Sequence, residues 1–303
     1  MFILKGLFTM NFAIISDGAC DLLPSYTQKH DVHVVPFYAT FDGITYTKEG
    51  FELDHDSFYK RMIEEHAIPK SSLPSIGDYC EVFKPLAEAG QAAICICITA
   101  KFSGSYNSAM TARDTILEEY PDARITVIDS TLNTVCQGLY VNEAVRMRDA
   151  GLSYEEAISH LERIKDSGRI YFTVGSMEYL VQNGRVGKLA VLAGDKLGIK
   201  PLIIMKEGDI CLGGVTRSRK KAKQNLLSLV SKYFEQNQLK KEDYAFVIGA
   251  GYGYEEAAQY KQEFESYLGV TCDPAVEARI GACIGCHTGP YALGIAFVKH
   301  YDA

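Results

Sequence analysis

Four short segments in the first half of this sequence are apolar almost without a break, and helical spacing fills the gaps between them. "NFAIISD" (11–17), "VHVVPFYATF" (32–41), "AAICICIT" (92–99) and "RITVIDS" (124–130) lack the alternation of a strand with one wet face. A strand that is apolar at consecutive positions is covered on both faces, and in a parallel sheet the covering elements are helices. The stretches at 54–66, 78–89, 105–119 and 133–150 carry helical periodicity. This order predicts an α/β fold, a mostly parallel sheet with helices on both faces.

Gly151, then Ser153 with Glu156 three residues later, reads as a helix stop followed by a capping box. The domain boundary is placed there, giving an N-terminal α/β domain over 11–150 and a C-terminal α+β domain over 151–303. The second half predicts a helix at 153–166, a strand at "IYFTVG", and short helices near 177–183 and 188–197. "KPLIIMKEGDICLGGVTR" reads as a hairpin turning at Glu207-Gly208-Asp209. A helix at 218–235, a strand at "YAFVIGA", a helix at 254–268 and closing strands within 278–300 complete the chain.

The net charge of −7 argues against general binding to nucleic acid, which needs cations to neutralise phosphates. No apolar run reaches bilayer-spanning length. "MFILKGLFTM" precedes Met10 without a small-residue cleavage pattern, so residues 1–10 read as an N-terminal extension and the expected location is cytoplasmic. Thiols stay reduced there, and the nine cysteines give no reason to expect a disulfide framework. Cys95 and Cys97, inside an apolar run, read as small hydrophobes.

Chemistry concentrates in a few places. "ARIGACIGCHTGPYALGIAFVKH" (278–300) contains Cys283-Ile284-Gly285-Cys286-His287, the C-x-x-C-H spacing of covalent haem attachment. The flanks are smooth and apolar, no second cysteine pair offers a zinc set, and the expectation is of strand cysteines flanking a histidine that matters. "TAKFSGSYNSA" (99–109) follows a buried strand and opens a helix, which puts Ser103 and Ser105 where open α/β sheets bind anions; either serine could equally serve as a cap. "KSSLPSIGDYC" (70–80) offers Ser71, Ser72 and Ser75 in the same way, and "QNGRVGK" (182–188) offers Arg185. "TRSRKKAK" (216–223) places cations at a helix start, against the macrodipole, which suggests contact with an acidic partner. P-loop, G-x-S-x-G and H-E-x-x-H patterns do not occur.

Taken together, these stretches resemble the DegV family of bacterial fatty-acid-binding proteins. Ser16-Asp17 with Asp21-Leu22 is followed by "VVPFYATFDGITY", and Ser71-Ser72-Leu73-Pro74-Ser75 is similar to the family's "TSQPS". Ser103-Gly104-Ser105-Tyr106-Asn107-Ser108-Ala109 is similar to "SGTYQSA". "VIDS" (127–130), Asn183-Gly184-Arg185-Val186 ahead of "LGIKPLI", "RSRKKA" (217–222) and "HTGPYALG" (287–294) follow in order. Leu73 stands where the family has Gln, Pro290 where Gly is frequent, Gly18-Ala19 where a hydroxyl pair is usual, and Cys136 where Gly is common.

The resemblance implies a two-domain fold with a long-chain fatty acid such as palmitate held between the domains, and no catalytic set or cofactor. Its carboxylate-binding positions fall on Ser71 and Ser103, with Ser72, Gly104, Arg185 and His287 as secondary head-group contacts. It also implies a fatty acid kinase partner that makes acyl-phosphate for phospholipid synthesis, with Arg217 at the kinase contact. The competing readings are a redox or haem protein built on Cys283 and Cys286, and a phosphotransfer enzyme using His30, His33, His55 or His66.

Overall fold

A computed structural model describes residues 12–50, 52–187, 189, 198–277 and 279–303. The N-terminal extension and the helix expected at 188–197 lie outside the described residues, apart from Leu189. In chain order the strands of the first half are β1 (Ala13–Asp17), β2 (Val32–Val35), β3 (Tyr38–Thr40), β4 (Thr47–Lys48), β5 (Lys70–Ser72), β6 (Ala93–Cys97) and β7 (Ile125–Asp129). Its helices are α1 (Pro24–Lys29), α2 (His55–Glu64), α3 (Ile76–Glu88), α4 (Ser105–Glu119) and α5 (Thr134–Asp149). The second half adds α6 (Tyr154–Ile164), β8 (Arg169–Thr173), α7 (Glu178–Gln182), β9 (Lys200–Lys206), β10 (Asp209–Thr216), α8 (Arg219–Gln236), β11 (Tyr244–Ala250), α9 (Tyr254–Leu268), α10 (Ala282–Thr288) and β12 (Leu293–Lys299).

The first sheet is parallel, in the order β2-β1-β6-β7. Its strands are covered on both sides, as their unbroken apolar runs require. Ala13, Ile15, Cys95 and Cys97 pack on Tyr79, Phe83, Ala109 and Ile116 of α3 and α4. Ile14, Ile94 and Ile96 face Leu139 and Tyr140 of α5. Cys95 and Cys97 are fully buried and act as small core residues.

The second sheet is antiparallel throughout, in the order β10-β9-β8-β12-β11. One face carries α8 and α9 through Leu226, Val230, Phe234, Tyr260 and Phe264. The other faces α5, which therefore lies against both sheets. That position explains why α5 shows no amphipathic stripe: a helix enclosed on all sides is apolar all round. Most of its polar side chains are hydrogen-bonded, although Gln137 Oε1 has no partner among the described residues. Buried Glu143, for example, accepts from Arg146 (2.7 Å), His300 Nδ1 (2.9 Å) and the Tyr301 N–H (2.9 Å), which anchors the C-terminal segment.

Gly151, at φ 83°, stops α5, and the Ser153–Glu156 capping box opens α6. All strands of the parallel sheet precede Gly151, and all those of the five-stranded sheet follow it. Glu207 and Gly208, both at positive φ, turn the β9–β10 hairpin.

Three expectations need correction. The run at 32–41 is not one strand: it breaks at Pro36, which cannot donate to a ladder, so β2 joins the parallel sheet while β3 pairs with β4 and β5 in a small separate sheet. Residues 70–72, expected as loop, form β5 of that sheet. Cys283, Cys286 and His287 lie on a helix rather than a strand.

Candidate functional site

Between the two sheets lies a cavity offering about 200 Å³ to the centre of a water-sized sphere, where roughly 10–15 Å³ suffices for one water. Its walls are mainly apolar, with Phe37, Ile98, Phe102, Phe172, Met205 and Ile284 among them. Ser71, Ser72, Ser103, Arg185 and His287 also line it, and exposed Ser72, Leu73 and Arg185 mark where it meets solvent.

Each polar side chain is placed by a distant part of the chain. Ser71 sits on β5, opposite Ala39 of β3, and its hydroxyl lies 3.0 Å from His287 Nε2 at the end of α10. Ser72, the next residue on β5, is exposed at the cavity mouth. Ser75 is consumed as the N-cap of α3, where its Oγ accepts the Asp78 N–H (3.1 Å).

Ser103 and Ser105, equal candidates in the sequence, separate here. The Ser105 hydroxyl donates to Asp17 Oδ2 (2.7 Å), lies 2.7 Å from the Tyr79 hydroxyl and is fully buried. Ser103 lines the cavity, and among the described residues its Oγ accepts only the Ser105 N–H (3.2 Å). Gly104 is the N-cap of α4, and Leu73 packs over it, 3.4 Å from where a Cβ would stand. The family's glutamine position thus carries an apolar cover at the mouth.

Asp17, at the C-terminal end of β1, organises this turn. It accepts from the Ile98 N–H (2.9 Å), Ser105 Oγ (2.7 Å) and Gln137 Nε2 (2.9 Å). Burial raises its pKa while those hydrogen bonds pull it down. Removing a buried acceptor strands its donors, so Asp17→Ala is expected to cost about 3 kcal/mol, measurable as a lower midpoint of urea unfolding.

His287 is neutral at physiological pH. Burial first, and the nearby Arg185 charge second, lower its pKa to about 4. Its Nδ1 and the Asn133 Oδ1, both buried, have no hydrogen-bond partner among the described residues, and both residues line the cavity. The cation at the mouth is Arg185, whose guanidinium donates to the carbonyls of Phe102 (3.3 Å) and Asn183 (2.7 Å). Asn183 in turn donates to the carbonyls of Pro69 (3.3 Å) and Cys286 (2.8 Å), tying the Arg185 turn to β5 and α10. Asp17, Asn133 and Asn183 were not singled out by sequence reasoning. Only the Ser-Asp and Asn-Gly-Arg strings hinted at two of them.

The surroundings of the cysteine pair disfavour the thiolate. Cys283 and Cys286 are free, buried on α10, and pushed far above the ordinary thiol range, chiefly by burial and then by the Glu49 charge. A redox dithiol needs the opposite environment. None of His30, His33, His55 and His66 lines this cavity; His55 is held between the Ile280 carbonyl (2.9 Å) and the Tyr254 hydroxyl (2.7 Å).

Arg217 lies outside the cavity, exposed, just before the N-cap of α8. The cations around it are partly compensated after all: Arg219 pairs with Glu256 on α9 (2.7 Å), and Lys223 stands 3.7 Å from the same carboxylate. Among the described residues no helix is long and apolar enough to cross a membrane.

Fold and cavity define an α/β protein built around an apolar chamber with a serine-lined mouth. The family model described as "Uncharacterised protein, DegV family" matches residues 11–300, and the chain belongs to the DegV family. A DegV domain-containing protein of Clostridium acetobutylicum is 30% identical over 95% of this chain and 98% of its own. Among solved structures, a stearic acid-binding protein from Eubacterium ventriosum is 46% identical, with a TM-score of 0.92 over 96% of this chain and 99% of that one. A fatty acid-binding DegV family protein from Thermus thermophilus is 26% identical, with a TM-score of 0.84 over 95% and 99% of the two chains.

Proposed function

We propose that this protein binds one long-chain fatty acid, its carboxylate held by Ser71 and Ser103 and its acyl chain enclosed between the lobes 11–150 and 151–303. The observation that carries this reading is the division of the cavity wall: two serines, a neutral histidine and an arginine gather beside apolar surface. Burying an acyl chain is worth about 0.8 kcal/mol per methylene, so roughly ten methylenes supply most of the affinity. The carboxylate would oppose burial unless hydrogen-bonded. Two hydroxyls and His287, with Arg185 for charge, meet that need; Gly104 and Ser72 flank the head group. Such a carrier needs no nucleophile, base, metal or cofactor of its own.

Isothermal titration of the delipidated chain with palmitate and with oleate tests the reading. Saturable binding of either ligand at micromolar concentration is expected; no heat from either would remove it.

The carrier would then present its lipid to a fatty acid kinase in the cytoplasm, for acyl-phosphate formation and phospholipid synthesis. Exposed Arg217, unlike Arg219, has no ion-pair partner among the described residues and is free to meet an acidic surface. Arg217→Ala is expected to slow fatty-acid-dependent ATP consumption by the kinase about tenfold, the equivalent of one exposed charge contact of about 1.4 kcal/mol, with lipid binding unchanged. An undiminished rate would remove the docking role.

A further inference from the structure

The sheet face that floors the cavity is graded in side-chain size. Register aligns Ile210, Met205, Ile170 and Ala296 in one cross-strand row, from β10 across to β12, while Val247 beyond them on β11 lies outside the cavity lining. The next row aligns Ile203, Phe172, Gly294 and Gly249. Among these positions the lining side chains shrink to glycine and alanine over β12 and β11, leaving a trough. Gly294 is required by the sheet itself, since a Cβ there would stand 2.5 Å from Phe172 Cβ and 2.9 Å from the Tyr171 carbonyl oxygen. Gly249 is different. A Cβ there would meet a side-chain end, Val135 Cγ2, at 2.9 Å, with Ile280 next at 3.8 Å.

The opposite wall gives the trough a direction. His287, Ile284 and Cys283 line the cavity from one face of α10, and Ile280, just before that helix, lines it too. This wall begins at the Ser71–His287 contact at the C-terminal end of α10 and ends beyond the helix's N-terminus, at Ile280 beside Gly249. Val135 stands at that far end, in the first turn of α5, and a β-branched side chain in a helix has little rotamer freedom with which to swing aside.

Resting on the fatty-acid reading above, we infer that Gly249 and Val135 form the stop that fixes how long an acyl chain the cavity accepts. The chain runs from the serine mouth along α10 into the trough over β11 and β12, and its methyl end meets Val135. Gly249 keeps the last stretch open, and Val135 closes it.

The test loads the delipidated full chain with an equimolar mixture of straight saturated acids of twelve to twenty carbons and reads the bound masses by native mass spectrometry. Gly249→Val is expected to move the preferred acid at least two carbons shorter, lowering occupancy by the wild-type favourite about tenfold, as the loss of two buried methylenes requires. Val135→Ala is expected to move it longer. Opposite shifts support the stop. Wild-type profiles in both variants, or shifts in the same direction, overturn it, and an unchanged profile in Val135→Ala overturns it alone should Gly249→Val fail to fold. A wild-type chain that takes up none of the acids would instead sink the fatty-acid reading, and the stop with it.

Discussion

The double variant Ser71→Ala, Ser103→Ala is expected to bind palmitate at least about 100-fold more weakly than the parent chain. A hydroxyl donating to a carboxylate contributes about 1.5–3 kcal/mol, and every 1.4 kcal/mol is about tenfold in affinity. Ser103 has a hydroxyl proton to give, because among the described residues its Oγ is engaged only as an acceptor from the Ser105 N–H. Ser71 is held 3.0 Å from His287 Nε2, so the histidine orients it. Ser71→Thr, which restores the family's residue and keeps the hydroxyl, should bind as the parent does. Titration calorimetry checks both, with thermal melting to show that the fold is intact. A loss below about threefold in the double variant would place the carboxylate elsewhere.

Stability is expected to fall as pH rises from about 5 to about 9, by an amount on the order of a few kcal/mol. The cause is a pair of carboxyl groups with no cationic partner among the described residues. Glu49 Oε2 accepts the Cys283 N–H (3.1 Å) at the start of α10, while Asp21 Oδ2 accepts from Thr134 Oγ1 (2.5 Å). Both approach Gly281, where a Cβ would overlap Glu49 Oε1 and come within 2.7 Å of Asp21 Oδ1, so a larger residue would push the carboxylates aside.

The titratable groups around the pair, Asp17, Cys20, Tyr59, Cys283 and Cys286, are all acids. Burial, with a small contribution from the Asp17 charge, raises Asp21 to about 7; burial and then the Asp21 charge raise Glu49 to about 8. In the unfolded chain each ionises near pH 4. The folded state therefore holds extra protons across the interval, and the stability they confer is complete below about pH 4 and lost as pH climbs through 7 and 8. Glu49 is only half-buried, which discounts its share. Glu49→Gln should flatten the profile of melting temperature against pH between 6 and 9. An equally steep profile in that variant would contradict the assignment.

What could be read in the sequence was whatever depends on long local pattern. The parallel strands announce themselves because both faces are covered, and α4 and α9 run the predicted lengths because helical periodicity holds over four turns. From local pattern the site was legible only as a set of serine turns; the family resemblance was what singled out Ser71 and Ser103. Choosing Ser103 over Ser105 depends on Asp17, a residue 88 positions away from Ser105 that draws its hydroxyl inward. β5 has three residues, two of them exposed, and only its pairing with β3 makes it a strand. α10 is a helix because carboxylates from residues 21 and 49 meet its first turn, information absent from "ACIGCHT" itself. The compensation of Arg219 by Glu256 is likewise a contact between helices, invisible along the chain.

A crystal structure of the chain with palmitate bound tests the central claim most directly. The account expects carboxylate oxygens within about 3.0 Å of both Ser71 Oγ and Ser103 Oγ, with the acyl chain passing Ile284 and Cys283 towards Gly249. A carboxylate bonded to neither serine, or an acyl chain lying outside this cavity, would contradict it.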